Sequence, residues 1–240
     1  MQLREPFHLD ELGFVKRHAR RPVKIPITGP YTLADWSFNE YYLRQASGVT
    51  DLRKRNYEAK RRFTLDLATA VLRPTLQALG AAGADWIQID EPAAATHQEE
   101  VPILVEAFNA ATEGVQARIS IHICYSNYRA LYPHILSLRT DMLTLEFKNT
   151  GDYNIVHIFK DFGDQRQIGL GVLDVHSDVI ETPEEVKEKV LQAAEILGAP
   201  ERIWVNPDCG LRTRTWDVAF AKLQNLVEGA RLAREALARA

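Results

Sequence analysis

Apolar residues along the chain gather into short runs separated by longer stretches with helical spacing. Six runs read as strands: Val23–Thr28, Trp86–Ile89, Ile119–Cys124, Met142–Phe147, Ile168–Val175 and Ile203–Val205. Each is short and apolar, and most are followed by polar or turn-forming residues and then a helix-like stretch. Between them, Arg61–Leu79 repeats Phe63, Leu67, Val71, Leu72, Leu76 and Leu79 at helical spacing, with Pro74 expected to kink or split the helix. Thr182-Pro183-Glu184-Glu185 is a helix start: Thr182 can cap, Pro183 suits the first turn and Glu185 can close a capping box. A last helix is expected from about Trp216, burying Phe220, Leu223, Leu226 and Val227. Residues 1–21 look helical in part, through Leu9, Leu12 and Val15.

Strands alternating with helices predict a parallel α/β protein. A doubly wound open sheet would carry a glycine-rich phosphate loop after an early strand, and none is present. A (β/α)8 barrel places functional residues at the carboxyl ends of many strands, which is the pattern here, although a closed barrel needs eight strands against the six readable ones. No linker, low-complexity segment or repeat divides the 240 residues, so a single domain spanning 1–240 is expected. A net charge of −3 gives no basic footprint for nucleic acid. No apolar run approaches a membrane span, and the first residues lack the apolar region of a signal peptide, so a cytoplasmic protein is expected.

The two cysteines, Cys124 and Cys209, change the picture. With no secretion signal, a structural disulfide is not expected, and inert buried thiols are the plain alternative to a metal site. His122 and Cys124 stand two apart at a strand end, so their side chains point the same way. Cys209 lies in the turn Asn206-Pro207-Asp208-Cys209-Gly210, and Glu146 ends the run Met142–Phe147. In a barrel, these four would converge on one mouth. Two thiolates, an imidazole and a carboxylate suit tetrahedral zinc better than a softer metal. Asp90-Glu91-Pro92 and His176-Ser177 also follow strands, where either a loop salt bridge or a functional group fits.

The motifs ITGPYTLADWSF, IQIDEPA, HICY, TLEF, GLGVLDVHS and WVNPDCGLRTR, taken in order, resemble the catalytic barrel of the cobalamin-independent methionine synthase family. The resemblance implies a zinc (β/α)8 barrel that transfers a methyl group to homocysteine. It places the zinc ligands on His122, Cys124, Glu146 and Cys209, and matches Asp90, with Glu91 beside it, to the group that holds the substrate's amino group. It makes His176 an active-site histidine and puts Trp36 in the methyl-donor region. It also implies that VKIPITG is the family's third strand. The first two strand–helix units, with a Gly-Ser-Phe-Pro type motif and an acidic motif, are absent. The chain then reads as a natural short form, a fragment or one part of a split barrel, completed by dimerisation, by a partner chain or by its own N-terminal segment.

Zinc would turn a poorly nucleophilic thiol into a thiolate. Glu146, the hardest ligand, is the one expected to loosen when substrate sulfur arrives, and His176 is suited to pass a proton to a leaving amine. The expected donor is a methylated corrinoid, free or carried on a protein, rather than methyl-tetrahydrofolate. Folate users carry a further domain, and their pterin-binding carboxylate is here Thr96. Three alternatives stand beside this reading: a folate-dependent synthase, alkyl transfer to another small thiol such as coenzyme M, and a non-catalytic partial barrel or subunit. Asp90 argues against coenzyme M, because a carboxylate repels a sulfonate.

Overall fold

The computed structural model describes residues 1–151 and 153–239. In chain order the elements are α1 (Leu9–His18), β1 (Lys24–Thr28), α2 (Pro30–Asp35), α3 (Glu40–Gln45), α4 (Leu52–Leu67), α5 (Arg73–Ala81), β2 (Trp86–Asp90), α6 (Val101–Ala111), β3 (Arg118–Ile123) and α7 (Tyr128–Leu131). There follow β4 (Met142–Leu145), α8 (His157–Asp161), β5 (Gln167–Leu173), α9 (Pro183–Leu197), β6 (Ile203–Pro207) and α10 (Trp216–Leu237). All six expected strands are present, in one sheet whose order follows the chain, with β1 and β6 at its ends. The pairs β1·β2, β2·β3, β4·β5 and β5·β6 are parallel. Parallel strands taken in sequence, each returning through helical segments, are the arrangement of a (β/α) barrel.

The chain's contacts gather in two compact units, residues 1–122 with 130–141, and residues 123–129 with 142–240. In the first unit the strand register builds cross-strand rows: Lys24, Trp86 and Arg118, then Pro26, Gln88 and Ser120, then Thr28, Asp90 and His122. The last row lies at the carboxyl ends. Arg118 covers the Trp86 ring, 5.3 Å from its centroid. α4 and α5 are joined by a π-helical turn, Ala68–Leu72, which ends two residues before Pro74. Pro74 has no N–H to give and its ring crowds the preceding turn, so the wider turn relieves the helix without ending it.

In the second unit β5 is buried along almost its whole length and pairs with β4 and β6. Its register against β6 shifts between Gly171 and Leu173. α9 begins with the expected capping box, Thr182 with Glu185. The expectation for α10 needs correction. Leu226 is buried, but Phe220, Leu223 and Val227 are 64%, 40% and 69% exposed, and Trp216 is 90% exposed. The buried face instead carries Lys222, Leu226, Gly229, Ala230 and Ala233, which pack towards α9 and the sheet. Periodicity locates apolar positions on a helix, but this helix has two apolar faces and only one is covered.

Candidate metal centre

His122 is the next-to-last residue of β3, and Cys124 follows the strand's end. Cys209 lies in the turn after β6. His122 and Cys124 are buried, Cys209 partly so, and both thiols are reduced. One ligand atom from each of the three residues falls in a cluster whose members lie within 4.8 Å of one another. A tetrahedral zinc bound at its usual distances separates nitrogen and sulfur donors by roughly 3.5 Å, so this cluster fits zinc after a small contraction. An imidazole and two thiols are the donor set such an ion prefers.

Glu146, expected as the fourth ligand, stands one residue past β4 and is 1% exposed, but its carboxylate is not a member of that cluster. Its oxygens are held by donors of their own. Tyr125 N–H donates to Oε2 at 2.9 Å, and the Asn149 side-chain amide donates to Oε1 at 2.7 Å. Tyr125 reaches this position in the left-handed backbone region, with φ 51°, which is unusual for an aromatic residue. The buried Tyr128 hydroxyl accepts from Glu146 N–H at 3.0 Å and donates to the Ile123 carbonyl at 3.0 Å. Burial pushes that phenol well above its ordinary pKa.

The residue that organises this turn is Asp208, which the sequence reading passed over. It is 1% exposed, and its carboxylate accepts three backbone N–H groups: Phe147 at 3.1 Å and Lys148 at 3.0 Å on Oδ1, and Asn149 at 2.6 Å on Oδ2. Burial pushes its pKa up to about 6, while the three N–H groups pull it down. Asp208 thus ties the turn that carries Glu146 to the turn that carries Cys209. The available signal was its place between Pro207 and Cys209, since an aspartate in a turn commonly accepts backbone N–H groups.

His176 is exposed on the turn after β5, and its Nε2 meets the Tyr125 hydroxyl. Its own N–H donates to Asp174 Oδ1 at 2.8 Å. Asp90 ends β2, half-buried, with its Oδ1 accepting from Gln88 Nε2 at 2.8 Å. Gln88 in turn accepts from Lys24 Nζ at 2.6 Å. Glu91 lies elsewhere. It is wholly buried, and its oxygens accept Tyr31 N–H at 3.1 Å and both the N–H and the hydroxyl of Thr32 at 2.7 Å. It therefore holds the start of α2 in place. Gly29 allows the approach, because a Cβ there would stand 2.2 Å from Glu91 Oε1. Burial raises the Glu91 pKa to about 7 against the opposing pull of these hydrogen bonds. Trp36, at the end of α2, is 68% exposed.

Parallel strands in chain order, with an imidazole and two thiols gathered past their carboxyl ends, define a barrel-type α/β protein with a zinc-type donor set. Residues 4–232 match the family model of the cobalamin-independent synthase catalytic domain, and the chain belongs to that family. It is 39% identical over 240 residues to methionine synthase of Thermococcus kodakarensis, covering all of this chain and 66% of the relative. It is 40% identical over 234 residues to methionine synthase of Sulfurisphaera tokodaii, covering 97% of this chain and 63% of the relative. The chain thus spans just under two thirds of the length of these relatives. Its fold matches that of a B12-independent methionine synthase from Shewanella sp. W3-18-1 solved in complex with selenomethionine (TM-score 0.84, 22% identity, 99% of this chain and 69% of that one). It also matches a methyltransferase from Methanosarcina mazei (TM-score 0.67, 16% identity, 92% of this chain and 62% of that one). Among the described residues no helix is long and apolar enough to cross a membrane.

Proposed function

We propose that the chain is a zinc-dependent methyltransferase that forms methionine from homocysteine, taking the methyl group from a methylated corrinoid. The observation that carries the reading is the His122, Cys124 and Cys209 cluster. Zinc held there would keep a substrate thiol deprotonated at neutral pH. Glu146 would complete the ligand set. Asp90 pairs with His122 in the strand register. Neighbouring strands stand ~4.8 Å apart, close to the reach between the amino group and the sulfur of homocysteine. An ammonium on Asp90 therefore leaves the thiol at the cluster. Gln88 orients the Asp90 carboxylate for that role. His176, beside the Tyr125 hydroxyl, would orient the substrate or carry a proton. Exposed Trp36 offers a stacking face to the donor. The selenomethionine complex of the Shewanella protein supports an amino acid of the methionine type as product. Reduced thiols at the centre suit a cytoplasmic enzyme.

The corrinoid is favoured over the folate because Thr96 brings no carboxylate for a pterin, and its hydroxyl is already donated to the Ala93 carbonyl at 2.7 Å. The test is metal analysis of the purified chain, followed by turnover of homocysteine with methylcobalamin and with methyl-tetrahydrofolate side by side. About one zinc per chain with turnover from the corrinoid is expected. Turnover from the folate alone would overturn the donor, efficient alkylation of coenzyme M would overturn the acceptor, and a chain that binds no metal would overturn the centre.

A second reading concerns assembly. β6 ends the sheet order, and α10 presents Trp216, Phe220, Leu223 and Val227 along one exposed face. An open parallel edge beside an apolar helix face invites a further strand–helix unit. A unit from the part of the relatives' length that lies outside these 240 residues would fit there, and for these residues alone the same α10 face of a second copy would cover it. Sedimentation of the active species tests this: a monomer turning over at full rate would refute it.

A further inference from the structure

Lys222 has no exposed surface, although it lies on α10, a helix with one face in water. An ammonium group so placed costs several kcal/mol unless it is paired and hydrogen-bonded. Its Nζ donates to Glu181 Oε2 at 2.8 Å and to the Val179 carbonyl. Glu181 is itself 3% exposed, and its other oxygen accepts Asp174 N–H at 2.8 Å. Asp174 Oδ1 then accepts His176 N–H at 2.8 Å. From the same helix, the Asn225 amide donates to the Glu181 carbonyl at 2.8 Å. One chain of bonds therefore runs from α10 to both ends of the turn 174–181. Along its middle, Arg214 pairs with Asp178 at 2.5 Å. The side chain that this turn presents to Tyr125 is His176, with ring centroids 5.7 Å apart.

A buried ion pair adds little stability that a well-packed apolar pair would not also add. What Lys222 and Glu181 supply is a defined geometry. We propose that Lys222, through Glu181 and Asp174, is a positioning residue that holds His176 against Tyr125 for the reaction. The role in turnover rests on the methyl-transfer reading above. The placement of His176 does not, and the two are measured separately.

Lys222→Met is compared with the native chain in three ways. Amide exchange should quicken across 174–181 while β5 keeps its protection. The nuclear Overhauser contact between the His176 and Tyr125 rings should weaken or vanish. In turnover with methylcobalamin and homocysteine, kcat should fall by about tenfold to a hundredfold, the scale of a small misplacement, with KM held within about twofold. In a His176→Asn background the same change should cost nothing further, because a residue acting only through His176 is silent without it. An intact ring contact in Lys222→Met, or an undiminished loss in the His176→Asn background, overturns the proposal. If Lys222→Met does not fold, Glu181→Gln/Lys222→Met removes both charges together and is carried through the same measurements. If the native chain turns over no donor, the methyl-transfer reading fails, while the ring contact still decides whether Lys222 places His176.

Discussion

Replacing Asp208 by Asn should loosen the Glu146 turn and weaken the metal centre together. The carboxylate accepts Phe147 and Lys148 N–H on one oxygen and Asn149 N–H on the other. An Asn side chain keeps at most one of these oxygens. If it keeps Oδ1, its amide N–H2 faces the Asn149 N–H, donor against donor, at a position where the separation is now 2.6 Å. One charge-assisted bond is then lost, about 1.5–3 kcal/mol, and the two survivors become neutral bonds of roughly half the strength. Against this, burial already pushes the Asp208 carboxyl up to about 6, so removing its charge returns part of that loss. The opposed donors decide the sign, because desolvation relief does not remove them. The net expectation is destabilisation by about 1–3 kcal/mol. Zinc affinity should fall by roughly ten- to a hundredfold, the usual cost of losing a group that orients ligands from behind. Urea unfolding with and without zinc, and competition with a chelator, measure the two effects. A variant within about 0.5 kcal/mol of the native stability, with unchanged zinc affinity, would refute the assignment of Asp208 as the clamp of this turn.

Cys124→Ser and Cys209→Ser should each abolish stoichiometric zinc in metal analysis, and Glu146→Gln should lower affinity by less, since its carboxylate lies outside the tight cluster. Gly171→Ala places a Cβ 2.2 Å from Asp208 Oδ1 and 2.7 Å from the Leu145 carbonyl, so calorimetry should show a loss of about 1–3 kcal/mol. Asp90→Asn should raise the KM for homocysteine with zinc retained, by about tenfold or more for a lost charge-assisted bond; unchanged kinetics would leave Asp90 as a strand-end carboxylate only. Burial raises the Glu91 carboxyl from an ordinary 4.5 to about 7, so the folded chain binds this proton more tightly than the unfolded one. Its contribution to stability is then complete at pH values below its unfolded pKa and is lost as pH rises to the folded one. The difference in unfolding free energy between the native chain and Glu91→Gln should therefore shrink by roughly 3 kcal/mol across that window, and a pH-independent difference would show the carboxylate to be ionised throughout.

What the sequence made legible was whatever local pattern controls. Short apolar runs gave all six strands, and Thr182 with Glu185 gave the start of α9. The grouping of His122, Cys124 and Cys209 was legible because ligand types are few: with two cysteines in the chain, and one of them two residues from His122 at a strand end, little else needed to be read. What stayed hidden depends on neighbours distant in sequence. Phe220 and Val227 look like core residues on periodicity, yet they lie on the exposed face of α10. Glu91 beside Asp90 looks like a second substrate carboxylate. Strand alternation turns it away from Asp90's face, and it goes to the N–H groups of Tyr31 and Thr32. Lys222 reads as the polar side of an amphipathic helix, and only the fold brings Glu181 to it.

The supports of the four candidate ligands differ in stiffness, and the difference bears on which of them can let go. His122 sits inside a regular strand, with Ile121 and Ile123 buried on either side. Cys124 follows one residue later, and Cys209 is held in a turn whose Asp208 N–H donates to the Leu173 carbonyl at 2.9 Å. Both oxygens of Glu146 accept protein donors, Tyr125 N–H on one and the Asn149 amide on the other. A buried carboxylate leaving a cation would ordinarily be stranded in a poorly solvated site, at a cost of several kcal/mol. Here Tyr125 N–H and the Asn149 amide already occupy its two oxygens, so release from a bound zinc would need no water to enter. The left-handed backbone at Tyr125, which costs on the order of 1–2 kcal/mol, is what aims that N–H at the carboxylate. The left-handed backbone at Tyr125 and the clamp from Asp208 therefore act together: on the zinc reading proposed above, they would keep Glu146 hydrogen-bonded whether or not it bound the metal. A carboxylate so supported would suit an exchangeable ligand, one whose place a substrate sulfur would take.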